Sequence, residues 1–178
     1  MGDPKKPKKS YRRPRRIWTA DQLSSELYVI GSYGLRNKRE LWKAHTELSR
    51  VRKQARSLLA LTQELREKKE PTLMKSLSKV GFVRENSTLD DVLNLKVTDL
   101  LSRRLQTMVQ KKGLIKSPYQ ARQAVVHGHV MIRDRVVTIP SYIVKLDEEN
   151  EIHFVPGINY GQPKKQEVEA VITEQPQV

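Results

Sequence analysis

The sequence predicts an α+β fold that is mostly helical: a helical body, then a two-helix corner backed by a short antiparallel sheet. Three observations carry this. Apolar residues recur at helical steps of three and four between Asn37 and Val125. After Gly128 the pattern changes to short β-branched pieces. The first sixteen residues and the chain past Pro156 show no apolar period. The expected divisions are a basic arm and lead-in over 1–34, a helical body over 35–99, a module over 100–155 and an acidic flexible tail over 156–178.

Residues 1–16 hold eight basic groups, three prolines and only Asp3, so they read as an extended arm that cannot fold alone. Tyr11 and Trp18 give this region aromatic faces able to stack on bases. Packing is the commoner use of a tryptophan, so Trp18 is expected to anchor the arm to the body. The first strong helix opens at Asn37, with Glu40 three residues on as a capping-box partner. Its apolar stripe is Leu41, Ala44, Leu48, Val51, Ala55 and Leu58. A shorter helix is expected from Pro71, a good first helical residue, to Gly81, burying Leu73, Met74, Leu77 and Val80. Thr88 to Asp91 reads as another helix start, with Leu89, Val92 and Leu93 inward. The Asp90–Asp91 pair fits the dipole of a first turn better than acid–base chemistry.

From Thr98 and Asp99 one helix is expected to run to Lys112 and stop at Gly113, with Leu101, Leu105, Met108 and Val109 inward. Ser117 then caps a helix with Pro118 in its first position, running to Gly128 and burying Ala121, Ala124 and Val125. The two helices form a helix-turn-helix-like corner. Val130, Ile132, Val136, Val137 and Ile139 flank a tight turn near Asp134, and Pro140–Val144 and Ile152–Val155 add two extended pieces.

Composition narrows the chemistry. The 178 residues carry 34 Lys plus Arg against 20 Asp plus Glu, a net charge of +14. Residues 1–16 contribute +7, residues 17–145 contribute +12 and residues 146–178 contribute −5. Such density repels itself unless an anionic partner neutralises it, so a polyanion is the expected partner. No cysteine is present, which removes disulfides, thiol nucleophiles and cysteine-held zinc. The longest all-aliphatic run is four residues, Leu58 to Leu61, so no membrane span is expected, and the basic start leads into no apolar stretch of a secretory signal.

Two surfaces are candidates for binding phosphate. The helix after Asn37 carries Lys38, Arg39, Lys43, Arg50, Arg52, Lys53 and Arg56 beside its apolar stripe, continuing the arm's Arg12, Arg13, Arg15 and Arg16. The corner carries Arg103, Arg104, Lys111, Lys112, Ser117, Gln120, Arg122, Gln123, His127 and His129 around a helix N-terminus, where backbone N–H groups and guanidinium forks suit an anion. Catalytic readings fail on inventory: the histidines His45, His127, His129 and His153 show no metal-ligand spacing, and Gly31–Gly34 is too short for a phosphate loop. No catalytic residue, metal or other cofactor is expected.

Residues 100–145 resemble the RNA-binding module named after small-subunit ribosomal protein S-four. The resemblance runs from Leu100-Leu101-Ser102-Arg103-Arg104-Leu105 through Gln120-Ala121-Arg122-Gln123-Ala124-Val125-Val126-His127-Gly128-His129-Val130 to Ile139-Pro140-Ser141-Tyr142. The segments Met1 to Lys5, Leu35 to Trp42, Gln54 to Ala60 and Leu89 to Leu93 are similar to the archaeal branch of that family. The resemblance implies a primary binder of small-subunit rRNA at a five-prime-domain helix junction. It also implies a place near the channel through which messenger RNA enters, beside proteins S-three and S-five, and a part in decoding accuracy. Within the module it assigns RNA contact to Arg103, Arg104, Ser117, Gln120, Arg122, Gln123 and His127. Two departures stand out: Pro118 follows the capping serine where the family often has Arg, and Ile132-Arg133-Asp134 replaces a Val-Asn-Gly hairpin. The rivals are a helix-turn-helix transcription factor reading duplex DNA, which needs dimer symmetry and a recognition helix in the major groove, and a fragment of an RNA-modifying enzyme.

Overall fold

The computed structural model describes residues 9–84 and 86–157. The first eight residues of the expected arm, and the tail beyond residue 157, lie outside them.

Helix α1 (Ala20–Ser32) falls inside the stretch expected to be lead-in. Its apolar residues divide: Leu27 and Tyr28 face out, Val29 and Ile30 pack partly buried against Leu35, Leu41 and Leu101, and the residue it buries outright is Glu26. The Glu26 carboxylate accepts hydrogen bonds from Trp42 Nε1 at 3.3 Å and Gln22 Nε2 at 3.1 Å, and pairs with Lys38 Nζ at 3.1 Å. A buried charge therefore ties α1 to the next helix, which is why hydrophobic periodicity does not find it.

Helix α2 (Lys38–Leu59) buries Leu41, Leu48, Val51, Ala55 and Leu58 as the stripe requires, with Ala44 half-buried. Asn37 caps it by accepting from the Glu40 amide at 3.2 Å. The reciprocal half of the expected box is absent, because the Glu40 carboxylate points elsewhere. Helix α3 (Gln63–Val80) opens eight residues before Pro71, which lies inside it. The extra turns, Gln63 to Glu70, are almost wholly polar, and they are held by the i,i+4 pairs Gln63–Glu67 at 3.0 Å and Arg66–Glu70 at 3.0 Å. Gly81 ends the helix at φ 78, and only Leu77 is fully buried.

Helix α4 (Leu89–Asn94) starts as expected, and Asp91 accepts from the Thr88 amide at 2.8 Å, a capping role for that carboxylate. The single helix expected over 98–112 is two: α5 (Val97–Ser102) and α6 (Leu105–Lys111). Between them the chain pairs with an extended segment, Leu105 N donating to Tyr142 O at 2.7 Å and Val144 N to Arg103 O at 2.9 Å. That segment is the Pro140–Val144 piece, which makes an isolated bridge there rather than a strand of the sheet. Helix α7 (Pro118–Val126) follows, capped by Ser117, whose Oγ accepts from Gln120 N at 3.2 Å.

The sheet is small and antiparallel. Strand β1 (Val130–Ile132) lies between β2 (Arg135–Val136) and β3 (Ile152–Phe154), with Ile132 opposite Arg135 on one side and Ile152 on the other. Arg133 adopts φ 54 in the hairpin turn, a place that usually takes Gly or Asn. Its amide donates to Glu151 O at 3.2 Å and its guanidinium pairs with the Glu151 carboxylate, so the residue just before β3 holds the turn. A short helix α8 (Leu146–Glu149), not anticipated, packs against α3.

Among the described residues three apolar clusters organise the chain. One lies between α2, α3, α4 and α5 around Val51, Ala55, Leu89 and Val92. A second joins α6, α7 and the sheet around Leu105, Val109, Ala124, Val125 and Val130. The third, Leu35, Leu41 and Leu101, sits between them with Tyr33 and Ile30 packed against it. This third cluster packs α1 and the start of α2 against α5.

Candidate nucleic-acid interface

The cationic face begins with the arm. Tyr11 stacks on Trp42 with ring centroids 6.0 Å apart, and the Arg12 amide donates to Thr46 Oγ1 at 3.0 Å. Lys9 Nζ stands 4.9 Å above the Tyr11 ring. Tyr11, not Trp18, is therefore the aromatic anchor of the arm; Trp18 is 86% exposed. This overturns the packing expectation for Trp18. Arg12, Arg13, Arg15 and Arg16 are all exposed. Between arm and α2 lies an open groove of about 580 Å³ lined by Arg12, Arg13, His45, Arg50 and Lys53 among others. Partial desolvation pushes the His45 imidazole down, Glu26 opposing and Arg52 adding to it.

Helix α2 presents Arg39, Lys43, Arg50, Lys53 and Arg56 as exposed side chains on the same body. Two candidates on this helix are engaged within the chain. Lys38 pairs with Glu26, and half-buried Arg52 donates through Nη2 to the Leu95 carbonyl. Arg50 also pairs with Glu47, an exposed i,i+3 contact of the kind worth little in water.

In the module the candidates divide more sharply. Gln120, Gln123, His127 and Lys111 are exposed, and Lys112, Ser117 and His129 are half-buried. The His127 and His129 rings meet edge-on at 5.7 Å around Gly128, which takes φ 76. Ser117 Oγ is occupied by its cap. The arginines turn inward. Arg103 donates to Val80 O at 3.1 Å, Val144 O at 3.0 Å and Glu149 at 2.7 Å, tying α3, α8 and the module together.

Arg104 and Arg122 converge on one carboxylate. Arg122 Nη2 donates to Glu40 Oε1 at 2.7 Å and its Nη1 to Oε2 at 3.2 Å, a bidentate fork, while Arg104 Nη2 donates to Oε2 at 3.0 Å. Burial pushes the Glu40 carboxyl up, but the Arg122 hydrogen bond and the charge and hydrogen bond of Arg104 outweigh it, so the group is held below its ordinary value. Fully buried Gln106 supports the same junction. Its Nε2 donates to Tyr33 O at 3.1 Å, Gly34 O at 2.9 Å and Pro118 O at 2.9 Å, and Arg122 Nη1 lies 3.4 Å from its Oε1. Sequence reasoning assigns neither Glu40 nor Gln106 a part in the site. For Glu40 a signal existed, one of only two acids among the cations of α2; for Gln106 none did.

Among the described residues no group of three or more His, Asp or Glu side chains is placed to hold a metal ion, and no helix is long and apolar enough to cross a membrane. The arrangement is a broad cationic surface on a scaffold braced by internal ion pairs.

Comparison with known proteins bears on what this surface meets. The family model described as "Ribosomal protein S4/S9 N-terminal domain" matches residues 5–102, and the one described as "S4 domain" matches residues 103–150. The chain is 64% identical over 156 residues to the small ribosomal subunit protein uS4 of Nitrosopumilus maritimus, covering 88% of this chain and 78% of that one. It is 55% identical over 160 residues to the protein of the same description from Ignicoccus hospitalis, covering 90% and 96%. A third, from Hyperthermus butylicus, is 50% identical over 167 residues, covering 94% and 95%.

Proposed function

The chain belongs to the ribosomal protein S4 family, archaeal type, and from that premise we propose that it is a structural, non-enzymatic constituent of the small ribosomal subunit that binds the subunit's RNA. The observation that carries this is the match of both family models in tandem over residues 5–150, on a chain whose exposed face is lined by cations from the arm through α2 to the module. Its place of work is the ribosome in the cytoplasm, and neither the DNA-reading rival nor the modifying-enzyme rival has a comparison behind it.

Within this reading the contacts are divided by geometry. Arg12, Arg13, Arg15, Arg16, Arg39, Lys43, Arg50, Lys53 and Arg56 bind phosphates from the body side, and Lys111, Lys112, Gln120, Gln123, His127 and His129 contact RNA from the module. Lys38, Arg52, Arg103, Arg104 and Arg122 hold the protein's own architecture, and Ser117 caps its helix. Support comes from exposure in the first groups, where only Lys112 and His129 are half-buried, and from internal partners in the last. Trp18, exposed beside Arg15 and Arg16, offers an unpaired base a stacking face. The finer placement is a five-prime-domain helix junction near the channel that admits messenger RNA, with S-five-type and S-three-type neighbours and a part in decoding accuracy. It rests on family resemblance.

Hydroxyl-radical footprinting of small-subunit rRNA with the full chain tests the proposal. Discrete protected nucleotides that persist as salt is raised are the expected result. Diffuse protection that disappears with salt would leave the chain a polycation without a site.

A further inference from the structure

We propose that Glu40 is the specificity-determining residue of the RNA-binding surface. It occupies the guanidinium forks of Arg104 and Arg122, and through the same bonds it sets the module on the body. The inference rests on the RNA-binding reading above and says how that surface discriminates. A free arginine fork in a cationic face takes any phosphate within its reach, because a single phosphate contact carries no sequence information of its own.

The observations converge on one group. Glu40 stands in the first turn of α2 between exposed Arg39 and Lys43, where an acid lowers the charge of the very face that should attract RNA. Both its oxygens are engaged, with three N–H donors between 2.7 and 3.2 Å, from residues 64 and 82 positions away. Arg104 is only 7% exposed, yet the cluster is not sealed. An open cleft of about 440 Å³ beside it is lined by Glu40, Lys43, Arg104 and Arg122. A phosphate could reach these guanidinium groups if the carboxylate did not hold them. Gln106, bonded to carbonyls on both sides of the junction, fixes the angle at which the pair meets. Body and module then face RNA as one rigid surface, and RNA is selected by fit rather than by total charge.

The test compares the full chain with Glu40→Gln and with Glu64→Gln, an exposed acid on α3 that changes the net charge equally. Each is titrated with folded small-subunit rRNA and with poly(U) over a salt series, after circular dichroism confirms the fold. Glu40→Gln should bind poly(U) several-fold more tightly than Glu64→Gln. Its poly(U) salt slope should steepen by about 0.7 for each arginine freed. Its preference for folded rRNA over poly(U) should fall at least tenfold. The comparison is read at temperatures where both variants are fully folded, because unfolding would also expose Arg52 and Arg103 to poly(U). If Glu40→Gln matches Glu64→Gln in both slope and preference, the proposal is overturned. Should Glu40→Gln not fold, Glu40→Asp decides. It keeps the charge but withdraws the carboxylate, and an unchanged slope and preference there overturn the proposal equally. Failure of the wild-type chain to prefer folded rRNA would instead count against the RNA-binding reading itself.

Discussion

Gly34 stands at φ 56 with its Cα against the module: a Cβ there would meet Gln106 Nε2 at 2.8 Å, Pro118 Cβ at 2.8 Å and the Pro118 carbonyl carbon at 3.0 Å. Gly113, at φ 69, would meet nothing within 4 Å. Gly113→Ala should therefore cost about 1–2 kcal/mol, the left-handed penalty alone, whereas Gly34→Ala should cost clearly more because backbone must move. Equal denaturation midpoints for the two variants would refute the close approach. Glu40 makes a second prediction at this scale. Its folded carboxyl value is depressed, so its contribution is full above the ordinary value of about 4.3 and is lost as pH falls through the folded value. Replacing it by Gln leaves buried Arg104 and half-buried Arg122 without their carboxylate and should cost about 3 kcal/mol at neutral pH. The gap in melting temperature between wild type and Glu40→Gln should start to narrow below about pH 4.3 and go on narrowing as pH falls; a gap as wide at pH 3 as at pH 7 would contradict this. Individual residues were the least legible level of the sequence. Tyr11 and Trp18 look alike as aromatic residues of a basic arm, and only the position of Trp42 decides which one anchors.

The helices with apolar stripes, caps and glycine stops were legible: α2, α4 and α7 begin where Asn37, Thr88 and Ser117 place them. Ser117→Ala should cost about 1 kcal/mol, seen as a lower denaturation midpoint. No loss would mean that Pro118 alone fixes the start of α7. Elements held by polar contacts were not legible. α1 is anchored by Glu26 with only Val29 and Ile30 partly buried beside it, and the first turns of α3 by side-chain pairs on its surface, so neither shows a fully buried stripe. Pro71 is placed in the helix interior, and its usual role as a helix opener misdirects the reading. The break at Arg103–Arg104 depends on partners some forty residues away, the carbonyls and amides of 140–144, which no local pattern reports. The sheet was legible as strands but not in membership, since Pro140–Val144 bridges to Arg104 instead of joining β1.

At the scale of the molecule, charge is divided between two tasks. Some cations brace the scaffold through Glu26, Glu40 and Glu149, and the exposed remainder face outward along arm, α2 and module. The net charge of +14 and the absence of cysteine pointed to a polyanion binder, and family resemblance narrowed the polyanion to small-subunit rRNA. The division of labour among the arginines was invisible, because an Arg that binds phosphate and one that binds a distant carboxylate are the same letter. Exposed cations give attraction that decays steeply with salt, while a rigid junction gives fit that decays less. The most direct measurement is a competition titration of the full chain between labelled small-subunit rRNA and duplex DNA of equal charge, at low and high salt. The account predicts that folded rRNA wins at both and that its advantage widens at high salt. Equal competition at low salt, with both complexes lost together at high salt, would contradict it.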